Sequence, residues 1–143
     1  QPKMKRQHYQ KNTRNIMKRK TQIEYPLNPS SSVIIWNAIS STAGLERWFA
    51  DRVTKEGKTY TFRWGKTETR QAIVVNSRPE FFIRFHWLDD EEAKSYFELK
   101  IHYNEFTSDP TLEVLDFAET GEEEDVRNLW DSQIETLKRV FGV

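Results

Sequence analysis

An amphipathic helix that ends the chain, after a long run of strand patterns, constrains the fold more than any other feature. Its apolar residues recur at helical spacing between Gly121 and Phe141, over about 30 Å at 1.5 Å per residue. The stripe consists of Val126, Leu129, Trp130, Ile134, Leu137, Val140 and Phe141. Thr120 to Glu123 match a capping box, and Gly142 follows the helix. Such a stripe needs a concave apolar partner.

Alternating strand patterns in the middle of the chain supply that partner. The predicted strands cover residues 20–28, 59–64, 72–76, 81–87, 97–103 and 111–118. Their predicted buried residues include Ile23, Tyr25, Leu27, Tyr60, Phe62, Trp64, Phe81, Ile83, Phe85, Trp87, Phe97, Leu99, Ile101 and Tyr103. Antiparallel sheets commonly bury one face and solvate the other. The pattern therefore predicts an α+β fold, in which a curved antiparallel sheet surrounds the C-terminal helix. The acidic residues 89–92 are predicted to form a solvated loop.

Two short helices are predicted after the first strand. Asn28 can cap a helix that has Pro29 at its first position, where the missing N–H costs nothing. The polar residues 40–42 break this helix and can cap a second one from Ala43 to Trp48. The pair is a poor candidate for reading DNA, because its second helix is short and has few polar side chains.

Charge is unevenly distributed along the 143-residue chain, although the formal net charge is zero. Eight of its 22 basic residues precede the first acid, Glu24, so the remainder is acidic. We expect residues 1–19 to be a basic extension that is disordered or not native, with a polyanion-binding tail as the alternative, and residues 20–143 to form one domain. No nucleic-acid contact is expected from the acidic folded domain.

The location of the protein is predicted from what the sequence lacks. There is no cysteine, no apolar run of the length of a transmembrane helix and no apolar signal region, so we expect a cytoplasmic protein without a membrane span.

Motifs for most kinds of chemistry are also missing from the sequence. His8, His86 and His102 are widely spaced, which argues against a metal site, and no glycine-rich nucleotide motif or hydrolase elbow occurs. No cofactor is expected. Asp116 lies among apolar residues and is the one candidate for general acid or base catalysis. The alternative is that it pairs with a backbone N–H or a basic side chain.

Several short segments, in their order along residues 20–141, resemble the START-like (SRPBCC, Bet v 1-like) superfamily. They are residues 28–39, Leu45 to Phe49, Thr111 to Val114 and the spacing from Trp130 to Leu137. The most similar branch is related to the C-terminal domain of the activator of the Hsp90 ATPase, Aha1. This resemblance implies the helix-grip fold: about seven antiparallel strands around a long C-terminal helix, with two short helices after the first strand.

The superfamily contains hydrophobic-ligand carriers, cyclases and co-chaperone domains, so the resemblance does not select one function. The apolar helix stripe and the matching strand faces predict binding of a small hydrophobic or amphipathic ligand between sheet and helix, without catalysis. The candidate cavity-lining residues are Trp48, Phe49, Trp64, Phe85, Trp87, Trp130, Gln133 and Ile134. Their large side chains could instead fill this space. A co-chaperone-type module that binds a chaperone and a cyclase-like enzyme are the alternative functions. The sequence leaves the ligand, the partner and the oligomeric state open.

Overall fold

The computed structural model describes residues 18–143 and shows the predicted α+β helix-grip architecture. The elements in chain order are β1 (Lys18–Pro26), α1 (Ser32–Ser40), α2 (Thr42–Leu45), β2 (Arg52–Glu56), β3 (Thr59–Trp64), β4 (Glu68–Arg78), β5 (Phe82–Trp87), β6 (Phe97–Tyr103), β7 (Pro110–Glu119) and α3 (Glu123–Phe141). The strands form one antiparallel sheet in the order β1-β7-β6-β5-β4-β3-β2. The expected seven strands, long C-terminal helix and two short helices are therefore confirmed.

The concave face of the sheet carries rows of apolar residues that run across neighbouring strands. In one such row Ile23 pairs with Val114, Val114 with Leu99, and Leu99 with Ile83. All of these side chains are buried. The face of α3 that packs against them buries Val126, Trp130, Gln133, Ile134 and Leu137. Because side chains alternate between the two faces of a strand, the core-facing strand residues could be predicted from the sequence.

The edge strand β2 was not among the strands predicted from the sequence pattern. Val53 is its only buried residue, and the other four are exposed. An edge strand with a single buried side chain lacks the apolar alternation on which strand prediction depends. The strand forms because Arg52 to Glu56 pair in register with β3.

The three helices begin at different residues from those predicted. Helix α1 is capped by Ser31, whose side chain accepts a hydrogen bond from the Ile34 N–H, so the prediction of Asn28 as the cap is wrong. Ser41 caps α2, as the polar cluster predicted. At α3 the capping box is also wrong, because Glu122 occupies the cap position without a side-chain cap bond. The Glu123 carboxylate instead accepts from the Gly121 N–H.

Of two further predictions next to β5, one is wrong and one fails at a single residue. Phe81 precedes β5 and is 43% exposed, because the turn at Glu80, with φ of 68°, turns the chain before the strand begins. In the predicted solvated loop, residues 89, 91 and 92 are exposed, and Asp90 is the exception. It pairs with Lys18 at 2.6 Å, and its side chain is only 9% exposed. Residues 1–17 of the predicted basic extension lie outside the described residues, whereas its last two residues, Lys18 and Arg19, belong to β1.

Candidate functional site

An aromatic cluster occupies the space between the sheet and α3, with Phe49 at its centre. Six ring centroids lie between 5.0 and 6.4 Å from that of Phe49. They belong to Trp48, Phe62, Trp64, Trp87, Phe97 and Trp130. Phe49 reaches this position because it follows the turn after α2, where its N–H bonds to the Leu45 carbonyl. The rings therefore interlock across β3, β5, β6 and α3.

The structure places all eight predicted cavity-lining residues in or beside this cluster. Each is at most 6% exposed, and Phe85 joins the cluster by stacking on Phe97 at 4.9 Å. Gln133 and Ile134 lie on the buried face of α3. The side chains of all eight residues are buried inside the protein, so the role of these residues in lining a ligand cavity stays a prediction.

The polar groups of the cluster bond to the protein itself. Trp48 Nε1 donates to the Ala38 carbonyl at 2.7 Å, and Trp64 Nε1 donates to the Phe49 carbonyl at 2.9 Å. Gln133 Nε2 approaches the same Phe49 carbonyl at 3.4 Å. Buried donors are normally paired in this way. A ligand that entered the cluster would have to displace these bonds.

Asp116 reaches the same region from β7 and is 6% exposed. Its Oδ2 accepts from Trp130 Nε1 at 2.8 Å, and its Oδ1 accepts from the Phe117 N–H at 2.7 Å. The backbone bond confirms the structural alternative for this residue, while the indole bond was not predicted. The pair fixes the orientation of Trp130 in the core.

A cleft of about 390 Å³ lies between β1 and the C-terminal half of α3. It is lined by Tyr25, Asn28, Asp131, Ile134, Glu135, Lys138, Arg139 and Val143. Among the eight predicted residues, Ile134 alone contributes to this wall. Strand alternation predicted Tyr25 as a buried residue and not as part of a site. Periodicity did not indicate the remaining residues, because they come from a loop, the exposed side of a helix and the last residue of the sequence.

Two contacts hold the walls of the cleft in place. The Tyr25 hydroxyl donates to Asp131 at 2.6 Å, and the Asn28 N–H donates to the Val143 carbonyl at 2.6 Å. Burial raises the pKa of the Tyr25 phenol, and the hydrogen bond and the negative charge of Asp131 raise it further. Glu135 and Lys138 form no ion pair with any described residue, so the rim presents an unpaired charge of each sign.

The raised pKa of Tyr25 predicts a loss of stability in alkaline solution. The unfolded chain releases a phenol proton near pH 10, whereas folded Tyr25 keeps it, so the free energy of unfolding should fall as the pH rises above about 10. Urea unfolding at about pH 9 and pH 11 measures this slope. Tyr25→Phe should make the fall shallower, and an unchanged slope would contradict the assignment. Tyr60 and Tyr103, whose pKa values are also raised by burial, should contribute to the fall that remains in this variant.

The two described histidines lie outside the cluster and the cleft. His86 Nδ1 is 2.8 Å from the Ser95 carbonyl, and His102 Nε2 is 3.4 Å from Glu113. Within residues 18–143 no group of three or more metal-binding side chains comes together. None of the helices in this part of the chain has the length and apolar character needed to span a membrane.

Comparisons with known proteins agree with this architecture. BfR322 from Bacteroides fragilis, solved by solution NMR, is 54% identical, with 86% of this chain and 90% of that chain covered and a TM-score of 0.63. The Aha1 dimer from Colwellia psychrerythraea is 13% identical, with 88% and 96% covered and a TM-score of 0.67, which shows a shared fold. A comparison with proteins of curated function finds no match.

The family model described as the START-like superfamily domain matches residues 16–143, nearly the whole chain. This match agrees with the observed sheet, its strand order and the long C-terminal helix. The chain belongs to the START-like superfamily.

Proposed function

We propose that this START-like domain binds a small amphipathic molecule in the cleft between β1 and α3. The observation that carries the proposal is the cleft itself. Its volume of about 390 Å³ falls within the range of small-molecule sites, roughly 300–1,000 Å³. The half-buried Tyr25 ring lines it above the buried Ile134 and Val143, and Asn28, Glu135 and Lys138 give it a polar rim. An amphipathic ligand could use both.

The aromatic cluster supports placing the ligand beside the core, rather than within it. The rings around Phe49 contact one another, and the Trp48, Trp64 and Trp130 indoles donate to protein oxygens. Entry of a ligand there would break hydrogen bonds between buried groups, at about 1–3 kcal/mol for each group left unpaired. The cleft requires no such loss. We propose no catalysis, because both Asp116 oxygens already accept hydrogen bonds.

Amide NMR shifts measured during titration with octanoate, octylamine and octyl glucoside test the site. We expect the largest shifts at residues 25–28 and 131–139. Asn28→Trp should fill the cleft and weaken binding by about tenfold, a loss of roughly 1.4 kcal/mol. Asn76→Trp, on the exposed part of β4, is the matched control and should bind like the wild type. Shifts centred on Phe49 and Trp130, or no shifts with any probe, would contradict the proposal.

A second candidate function, a protein-interaction module of the co-chaperone type, is favoured by apolar side chains at one end of the sheet. Val33, Ile34, Phe81 and Phe106 are 54%, 45%, 43% and 93% exposed. Ser32 bonds to Glu80, and the Ile101 N–H bonds to the Phe81 carbonyl, which holds the start of α1 and β6 against the turn that carries Phe81. Titration with a purified Hsp90-type chaperone should shift the amide signals of the four exposed apolar residues and their neighbours, and unchanged signals would exclude this function.

A further inference from the structure

Strand β1 forms one edge of the sheet and is long for an edge strand. All nine of its residues pair with β7, and its other side pairs with no strand in the described part of the chain. The opposite edge, β2, has five residues. Exposed edges are templates for pairing with a further strand.

The register shows which backbone groups face the open edge. The Leu27 N–H donates to the Pro110 carbonyl at 3.0 Å, and these two residues continue the β1–β7 register. Because bonding direction alternates along an antiparallel strand, the odd-numbered residues of β1 bond to β7. The N–H and C=O groups of Lys18, Lys20, Gln22 and Glu24 therefore point outward. Pro26 lacks an N–H on this same outward side, as edge prolines do.

Two charged side chains of β1, Lys20 and Glu24, form no ion pair with any described residue, whereas Lys18 pairs with Asp90. Glu24 lies directly opposite Glu113 of β7, an arrangement of like charges that is unfavourable. Glu113 is contacted by Gln22 and His102, while Glu24 forms no ion pair with any described residue. Lys20 lies over the Tyr96 ring at 5.7 Å and likewise pairs with no described carboxylate. A cation that approached along the open edge would relieve the repulsion at Glu24.

We propose that two copies of this chain form a dimer by antiparallel pairing of their β1 strands, centred on Gln22. In this register Gln22 faces its own copy, and Lys20 faces Glu24 of the second copy on both sides of the two-fold axis. These are all outward-facing residues, so each pair exchanges both of its backbone hydrogen bonds. The strand is thus complementary to itself in backbone geometry and in charge.

The same pairing places a residue of the second copy beside the cleft. Arg19 and Tyr25 lie on the same face of β1 as the buried Ile23. With Gln22 at the centre, Arg19 of the second copy lies opposite Tyr25, whose hydroxyl bonds to Asp131. Each cleft would therefore receive a guanidinium group from the other copy.

Light scattering coupled to size-exclusion chromatography of the full chain tests the dimer. The wild type should be dimeric. Lys20→Glu and Glu24→Lys each place like charges opposite one another twice, and each should raise the dimer dissociation constant by about tenfold or more. The double variant restores opposite charges and should dimerise again. Lys66→Glu, which reverses an exposed charge far from β1, is the control and should remain dimeric.

Cysteine cross-linking provides a second readout that does not depend on charge. The chain has no cysteine, so Gln22→Cys introduces a single thiol at the two-fold axis. Paired Cα atoms about 5.5 Å apart suit a disulfide, and mild oxidation should give a covalent dimer. Thr54→Cys on the exposed part of β2 should not cross-link. A monomeric wild type, dimers in every charge variant, a folded double variant that stays monomeric, or equal cross-linking at both sites would overturn the proposal.

Discussion

Replacing Phe49 with alanine should lower the free energy of unfolding by about 3–5 kcal/mol, the usual cost of removing a buried phenylalanine ring. The ring is 1% exposed and contacts six other aromatic rings, from Phe62 at 5.0 Å to Trp87 at 6.4 Å. These neighbours belong to β3, β5, β6, α3 and the turn after α2, so they cannot all move inward to fill the space. Urea unfolding followed by far-UV circular dichroism measures the loss.

Phe106→Ala is the matched control, because it makes the same chemical change at a side chain that is 93% exposed. Its effect should stay within about 0.5 kcal/mol of the wild type. Phe49→Leu should be intermediate, since it keeps part of the buried volume. If Phe49→Ala proved as mild as the control, the ring contacts around Phe49 would not stabilise the core.

Much of this core could be predicted from the sequence. The alternation around Phe62, Phe85 and Leu99, and the stripe that contains Trp130, are local patterns, and side-chain direction follows from them directly. Whether the rings fill the space or line a cavity depends on rotamers and on donors such as the Trp64 indole. Those features are set by contacts between elements distant in the chain, and the pattern does not encode them.

On the outer face of the sheet, the sequence pattern predicts which way a side chain points but not whether that side chain is exposed. Glu98 alternates with Phe97 and Leu99 along β6, which puts it on the outer face of the sheet, yet it is only 1% exposed. Arg84 pairs with it at 2.8 Å and also lies over the Tyr96 ring at 4.0 Å. Lys100 lies 3.7 Å from its other oxygen. Alternation along a strand predicts the face on which a residue lies. Whether that residue is buried depends on side chains from other segments that lie over the same face.

The cleft could not be predicted for a related reason. Tyr25 and Asp131 are separated by 106 positions in the sequence, and they meet only because β1 pairs with β7 and α3 packs beside them. Ile134 was predicted from its place on the apolar stripe. The rim residues Asn28 and Lys138 carry no pattern that distinguishes them from ordinary surface residues.

Replacing Gly44 with alanine should destabilise the protein by about 2 kcal/mol or more, within the range for overpacked interiors. Helix propensity alone would favour alanine over glycine by about 1 kcal/mol, so the expected sign is reversed. An added Cβ would lie 2.0 Å from the Asn37 carbonyl oxygen and 2.8 Å from Ser41 Oγ. Urea unfolding measures the loss, and amide NMR shifts in α1 and α2 locate it.

The Asn37 carbonyl has little freedom to move away from such a methyl group. It accepts hydrogen bonds from the Ser41 N–H at 3.2 Å and from Ser41 Oγ at 2.7 Å, which together end α1. Ser41 Oγ in turn accepts from the Gly44 N–H at 2.9 Å, so any shift disturbs the cap of α2 as well. Ala43→Gly, at the exposed neighbouring position, gives the cost of a propensity change alone, about 1 kcal/mol. A Gly44→Ala variant as stable as the wild type would show that α1 and α2 can separate at this contact without cost, which the shared Ser41 hydroxyl argues against.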